Sequence, residues 1–285
     1  MIKLSVILVN WNTCDLTRQA LASVYKETQG IDFEVIVVDN NSGDGSVEMI
    51  KKEFPQAVLI VNTDNLGFGK ANNQGLKIAQ GDYLMFLNTD VVVLDGALNK
   101  LVNYLDGHSD VMMVGPRLLN KDLTFQHACR RMLPNPLNSF FHIFGLTKIF
   151  KNNKYINEYK RYASDPDVTG LTQALSGAAM MFRGKVYNEI GGFDERFFMY
   201  GEDLDFCKRT LDKGWKTVYV SDARIIHFGG QSSGKRRVKS LVNFYEAMWL
   251  YYKKHFKYNF VMDLLVWLGI KFRMALALIA NIFNS

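Results

Sequence analysis

Two acidic groupings and one histidine stand where carboxylates and imidazoles can do chemistry. Asp90 closes the triplet Asn88-Thr89-Asp90 directly after the apolar run Tyr-Leu-Met-Phe-Leu. A carboxylate at such a strand end can ligate Mg2+ or Mn2+ bridging two phosphates, and a hard cation there offsets charge on a departing diphosphate. Taken alone, the same residue is equally well read as a strand-end turn. The second grouping is Gly201-Glu202-Asp203-Leu204-Asp205, at the start of a helical pattern. The helix dipole favours acids there without any catalysis, and Asp205 can pair with Arg209 four residues on. Adjacent Glu202 and Asp203 are harder to assign to the dipole, because like charges held together raise a carboxyl pKa toward what a general base needs. They are the catalytic candidates. His227 ends a strand pattern before Phe-Gly-Gly-Gln-Ser-Ser, which makes it a candidate second metal ligand or diphosphate donor, the alternative being a structural hydrogen-bond donor.

Other polar residues follow strand patterns as well. Asp39 ends one, where a carboxylate can accept the N3 proton of uracil or thymine; its alternative is a turn role before Asn-Asn-Ser-Gly. Asp44, in the same loop, is read as a turn residue. Asn10 and Asn12 follow the first strand. The segment from Asn65 through Gly67 to Gly75 has a glycine-rich loop before a helix, but Asn72 occupies the third glycine position of a dinucleotide fingerprint, so that reading fails. Backbone amides at the helix start could still cradle a phosphorylated ligand.

The elements that must position these groups read as an alternating β/α pattern. Strands are expected at 4–9, 33–38, 57–62 and 82–87, with a weaker one at 111–115, and helical spacing separates them. Ser46 is expected to cap a short helix. Near-continuous runs such as Val-Ile-Val-Val suit strands buried on both faces of a mostly parallel sheet, whose ligands bind beyond the carboxyl ends of the strands. Residues 119–170 lose the alternation and are read as a helical insertion. A helix at 202–213, two short strands near 217–220 and 224–228, and helices at 238–257 and 259–283 complete the pattern.

At 285 residues and 48% apolar composition the chain can bury a full core. Cysteines at 14, 129 and 207 are odd in number and widely spaced, which points to a reducing compartment rather than a disulfide framework. The apolar run at 2–9 is too short for a signal-peptide core. Residues 231–285 carry nine lysines and arginines against Glu246 and Asp263, a balance of +7 within a total of +6. The basic tail therefore meets something anionic. No uncharged run in 259–283 reaches the roughly 18 residues of a spanning helix. Asn259, Asp263, Lys271, Arg273 and Asn281 fall within an arc of about 160°, as on an interfacial helix, although Trp267, Ile270 and Met274 share that arc. With Lys235, Arg236, Arg237, Lys239 and the 253–257 cluster, peripheral attachment to an anionic membrane is expected, the alternative being a homo-oligomer interface; nucleic acid is not an expected partner.

In order along the chain, S-V-I-L-V-N-W-N, V-V-D-N-N-S-x-D-G-S, N-x-G-F-G-x-A-N-N-x-G, F-L-N-T-D, S-G-A-x-M-M-x-R, G-G-F-D-E-x-F-F-M-Y-G-E-D-x-D and H-x-x-G resemble the family 2 glycosyltransferases of the GT-A fold, most closely the rhamnosyltransferase-like branch that uses dTDP-rhamnose. The resemblance covers residues 3–230. It implies an α/β catalytic domain over 1–230 with a Rossmann-like, mostly parallel sheet flanked by helices, and a C-terminal helical region over 231–285. It implies a nucleotide-diphosphate sugar as donor, Mg2+ or Mn2+ at Asp90 as the last acid of a D-x-D motif, Asp39 on the base, and Asp203 as the base of an E-D pair. Asn10, Asn12, Asn65, Gly67, Asn72 and Asn88 would surround the donor, with Ser176, Gly177 and Ala178 along the sugar and acceptor cleft. Asn88 departs from the pattern, offering an amide where many relatives have the first acid. The Q-x-x-R-W motif of polymerising relatives is absent, since Gln231 precedes Ser-Ser-Gly, so one sugar per encounter is expected. The implied reaction is a single inverting displacement onto a saccharide or lipid-linked acceptor, in the cytoplasm at the inner face of the membrane. The alternative is another, UDP-sugar-dependent transferase of the same fold; a sugar nucleotidyltransferase fits less well, because Asn10 to Thr13 carries neither glycine nor cation, and a non-catalytic carbohydrate-binding protein would not need both Asp90 and Glu202-Asp203.

Overall fold

A computed structural model describes residues 2–135, 165–229, 237–256 and 258–283. Its N-terminal half is built from β1 (Leu4–Asn10), β2 (Phe33–Asp39), β3 (Val58–Val61) and β4 (Tyr83–Asn88), joined by helices α1 (Cys14–Glu27), α2 (Ser46–Glu53) and α3 (Phe68–Ile78). These four strands pair in parallel in the order β3-β2-β1-β4. The sheet continues through β10 (Ala179–Arg183), β6 (Val111–Leu119), β11 (Lys216–His227) and β5 (Val91–Val93), with β8 (Gly170–Leu171) also on β11. Strand β10 is antiparallel to both β4 and β6, whereas β6 and β11 are parallel. Strands β1 to β4, β6 and β11 thus run one way, and β5, β8 and β10 run against them. The expected GT-A type sheet, mostly parallel and flanked by helices, is present.

Alternation of side chains along the strands splits the core into two layers. Leu4, Val6 and Leu8 pack under α1, α2 and α4 (Ala97–Gly107), while Ile7 faces α3, α5 (Gly184–Ile190) and α6 (Glu202–Asp212). Both faces of the central strands are buried, which is why their sequences are almost wholly apolar.

Several local expectations are corrected. Ser46 does not cap α2; Gly45, at φ 82°, holds the cap position, and the Ser46 hydroxyl donates to Asp44. Asp44 also accepts from the Cys14 amide at 2.8 Å, so one loop carboxylate satisfies donors at the starts of α1 and α2. The two strands expected between 217 and 228 are one strand, β11, whose register on β6 shifts between Val220 and Arg224. Strand β5 has only three residues, too few for a period to be read. The expected insertion at 119–170 shows no α-helix at its described ends. There, Leu119 bridges to Phe125, a 3-10 turn spans His127–Cys129, and β7 (Arg130–Arg131) pairs with β9 (Ala174–Leu175). Its middle, 136–164, lies outside the described residues, as do 230–236 and Lys257 of the basic tail.

The chain ends in α7 (Arg237–His255) and α8 (Phe260–Phe283). Helix α7 is tied to α6, because Lys254 and His255 reach the fully buried Asp205 at 2.6 and 2.8 Å, and Arg209 closes on the same carboxylate at 2.8 Å. Asp263 turns back to Lys253 and to the Tyr252 hydroxyl, which fixes the start of α8 on α7. Most of the rest of α8 is apolar and exposed, and among the described residues no helix is long and apolar enough to cross a membrane.

Candidate active site

The carboxyl ends of β1, β2 and β4 meet at one edge of the sheet, with Asn10 opposite Asp39 and Val9 opposite Asn88. The run Ser176-Gly177-Ala178 enters β10 at the same edge, where the Ala178 carbonyl accepts from the Asn88 amide at 2.9 Å. His227 leaves β11 there, and the N-terminus of α6 brings Glu202 and Asp203. The result is a cavity of about 390 Å3. Asn88, Asp90, Ser176, Gly177 and Ala178 line it, together with Glu202, Asp203, His227, Asn65 and Gly67. Ten residues scattered over most of the sequence thus share one space.

On one wall, His227 Nε2 lies 3.4 Å from Asp90 Oδ1, both side chains being largely buried. The imidazole's other nitrogen, Nδ1, is 2.7 Å from Gln126 Oε1. Gln126 donates through Nε2 to Asn120 Oδ1 and to the His227 carbonyl, which orients its amide so that only an oxygen faces the ring. Nδ1 therefore donates to Gln126, and Nε2 faces the Asp90 carboxylate and, at 3.5 Å, Asn88 Nδ2. Both Nε2 and Asp90 Oδ1 could ligate a cation. Asn88 adds a third, since its buried Oδ1 has no hydrogen-bond partner among the described residues. The set fits a divalent cation that keeps open positions for phosphate oxygens. Only one member is a carboxylate, and among the described residues no group of three or more His, Cys, Asp or Glu side chains could hold a metal ion.

In the same cavity, Asp203 is held by three donors. Arg131 Nη2 reaches Oδ2 at 2.7 Å and the Gly177 amide reaches it at 3.2 Å, while the Leu204 amide reaches Oδ1 at 2.7 Å. Gly177 permits that approach, because a Cβ there would lie 3.2 Å from Asp203 Cβ. Glu202 behaves differently. Burial, reinforced by the negative charge of Asp203, pushes its carboxyl up to about 8, and Oε2 has no partner among the described residues. Neighbouring carboxyls with such unequal surroundings can divide the tasks of holding and accepting a proton.

The Asn65–Gly67 loop is built by close backbone approach. Gly67, at φ 86°, lies so near the 197–200 loop that a Cβ would come within 2.6 Å of the Phe198 carbonyl, which accepts from the Phe68 amide. The Gly67 amide itself donates to Asn65 Oδ1 at 3.0 Å. Asn72 does not line the cavity; it is buried in α3, and its Nδ2 donates to the Phe68 carbonyl. Asp39 is also fully buried, accepting from Asn10 Nδ2 at 2.6 Å and from the Ser42 amide at 2.8 Å. Asn12 accepts from the Gly43 amide at 2.8 Å. Asn10, Asn12 and Asp39 together brace the loop beside the cavity rather than lining it.

Several contributors were not assigned to the site from sequence. Arg131 and Gln126 come from the irregular stretch after β6, where no spacing relates them to Asp203 or His227. Tyr200 lines the cavity at φ 72°, a region unfavourable for a bulky side chain and often retained at functional sites. Lys239, with Ser240 and Asn243 from the first turns of α7, also faces the cavity, so part of the basic tail belongs to the site.

The family model for glycosyl transferase family 2 matches residues 5–191, and that for glycosyl transferase family group 2 matches 158–284. The chain is 26% identical over 261 residues to the N-acetylglucosaminyl-diphospho-decaprenol L-rhamnosyltransferase of Mycobacterium tuberculosis, covering 87% of this chain and 83% of that protein. It is 28% identical over 211 residues to the poly(ribitol-phosphate) beta-N-acetylglucosaminyltransferase TarS of Staphylococcus aureus, covering 70% of this chain and 35% of that one. Among solved structures, the mannosyltransferase PcManGT of Pyrobaculum calidifontis, in complex with GDP-Man and Mn2+, superposes with a TM-score of 0.59 at 17% identity over 99% of this chain and 76% of the other. Residues 1–349 of S. aureus TarS give 0.57 at 18% identity over 95% and 71%. These likenesses establish the shared fold.

Proposed function

Because the chain belongs to glycosyl transferase family 2, we propose that it moves a single sugar from a nucleotide-diphosphate donor to a saccharide or lipid-linked saccharide, with inversion at the anomeric carbon. The observation that carries this reading is a single cavity lined both by Asp90 and His227, 3.4 Å apart, and by Glu202 and Asp203. A leaving diphosphate and an attacking hydroxyl need opposite surroundings, and this cavity has both.

In the proposed reaction Asp203 Oδ accepts the proton of the acceptor hydroxyl as that oxygen attacks the anomeric carbon. The bond from that carbon to the diphosphate oxygen breaks on the opposite face, and the electron pair leaves with the nucleotide. No covalent intermediate is needed, because acceptor and donor are held together in one site. Arg131 and the Gly177 amide orient the base. Asp90, His227 and Asn88 would hold Mg2+ or Mn2+, which supplies charge compensation at the diphosphate. Asn65 and Gly67 would flank the donor, with Ser176, Gly177 and Ala178 beside its sugar. Asp39 retains carboxylate lone pairs for a uracil or thymine N3–H, and the loop braced by Asn10 and Asn12 would have to open to admit the base. Asn72 would act through the fold of the Gly67 loop.

Rhamnose from dTDP-rhamnose is the donor we favour, supported by the mycobacterial relative, whose name also specifies a lipid-linked acceptor. The exposed apolar face of α8 and the basic tail support peripheral attachment at the inner face of the membrane. A transfer assay over a panel of dTDP-, UDP- and GDP-sugars tests the reading. Consumption of dTDP-rhamnose with release of dTDP is expected; turnover confined to another nucleotide would overturn the donor assignment, and no turnover with any would overturn the function.

A further inference from the structure

A second cavity, of about 690 Å3, lies between α7 and α8. Its wall is almost entirely apolar, with Phe244, Ala247 and Met248 from α7 facing Leu265, Leu268 and Phe272 from α8. The volume falls within the roughly 300–1,000 Å3 of small-molecule sites. It adjoins the catalytic cavity: Tyr200 lines both and makes an edge contact with Phe244, ring centroids 5.9 Å apart. Helix α7 crosses the boundary. Lys239, Ser240 and Asn243 face the catalytic cavity, whereas Phe244, Ala247 and Met248 face the apolar one, a step of about 8 Å along the axis from Asn243 to Met248.

A ligand matched to this surface has a polar, phosphorylated or sugar-bearing head and a hydrocarbon tail joined directly to it. We propose that the α7–α8 cavity seats the hydrocarbon tail of a lipid-linked acceptor whose head group lies in the catalytic cavity. This rests on the transferase reading above and names where such an acceptor is held. The rim supports the assignment, since Leu265, Leu268 and Phe272 are 58%, 49% and 57% exposed around an apolar hollow that water fills poorly. A flat bilayer contact would engage Phe260, Val261 and Leu264 of α8, which are exposed and do not line the hollow, and would have no need of a concavity adjoining the catalytic site.

The test uses the full chain and two series of ligands. In the first, alkyl phosphates of increasing chain length displace 1-anilinonaphthalene-8-sulfonate from the protein below their critical micelle concentrations. Affinity should rise about fourfold per methylene until the cavity is filled. In the second, acceptors with one head group and increasing tail length are assayed, and KM should fall over the same range with kcat unchanged. Leu268→Trp, at the half-exposed rim, should raise the long-tail KM and weaken alkyl phosphate binding at least tenfold, while leaving the shortest-tail KM and the donor KM unchanged. Leu265→Gln provides the same comparison if the tryptophan variant melts early. Affinity independent of chain length, a length dependence equal in wild type and variants, or a dimer whose dissociation tracks the rim variants would overturn the proposal. If no sugar is transferred at all, the functional reading fails, and the alkyl phosphate series still decides the cavity.

Discussion

Arg131 and Asp203, 72 residues apart, are joined by a hydrogen-bonded ion pair of 2.7 Å at the start of α6. The pair depends on the small β7–β9 sheet, which places Arg131 opposite Ala174 just before the Ser176-Gly177 turn. A carboxylate held from three sides keeps its orientation while an acceptor arrives, and base catalysis is sensitive to such positioning. Arg131→Ala should therefore lower kcat by about 10- to 100-fold with little change in donor binding. Arg131→Lys should recover only part of the loss, because an ammonium lacks the planar fork. Steady-state kinetics beside donor calorimetry checks this, and a loss confined to donor affinity would place Arg131 in the donor site instead.

Gln126 orients His227. Its Oε1 accepts from Nδ1, so Nε2, beside Asp90, is the nitrogen that would serve the proposed cation. Partners of this type commonly change metal affinity by about 10- to 100-fold when removed. Gln126→Leu should weaken Mn2+ binding, measured by calorimetry in the presence of a nucleoside diphosphate, by that factor. Asn88→Ala should weaken it also, since the orphaned amide oxygen would be lost. Unchanged Mn2+ affinity in both variants would remove this wall from the metal site.

Glu202 predicts a pH dependence of stability. Its carboxyl is pushed from 4.5 up to about 8 by burial and by the charge of Asp203. The folded state then binds more protons at this position than the unfolded chain, so this contribution is fully present below about pH 4.5 and is lost as pH rises toward about 8. Glu202→Gln keeps the shape and cannot ionise. Its melting temperature should gain on wild type by several degrees between about pH 5 and about pH 8. A constant difference across that window would mean that Glu202 is not held neutral.

Much of this arrangement is legible in the residues themselves. The strands β1, β2 and β4 announce themselves because burial on both faces demands unbroken apolar runs, and Asn10, Asp39 and Asn88 stand out by ending them. The α6 start and the Asp205–Arg209 pair follow from helix electrostatics and an i, i+4 spacing. What could not be read are contacts whose partners lie far apart in sequence and sit on irregular backbone. Arg131 and Gln126 belong to a stretch without periodicity, and only the folded sheet brings them to Asp203 and His227. The bulge that makes β11 a single strand looks, in sequence, like a break. Asp39 shows the reverse difficulty: a residue picked out for ligand chemistry also has its carboxylate bonded to Asn10 and Ser42 in its own loop.

The central claim is that Asp203 takes the acceptor proton. Asp203→Asn, nearly isosteric and unable to accept that proton at the same oxygen, should reduce transfer by at least about a hundredfold while donor binding by calorimetry stays within a few-fold of wild type. Near-normal turnover in Asp203→Asn would contradict the account and leave the base to be sought elsewhere in the cavity.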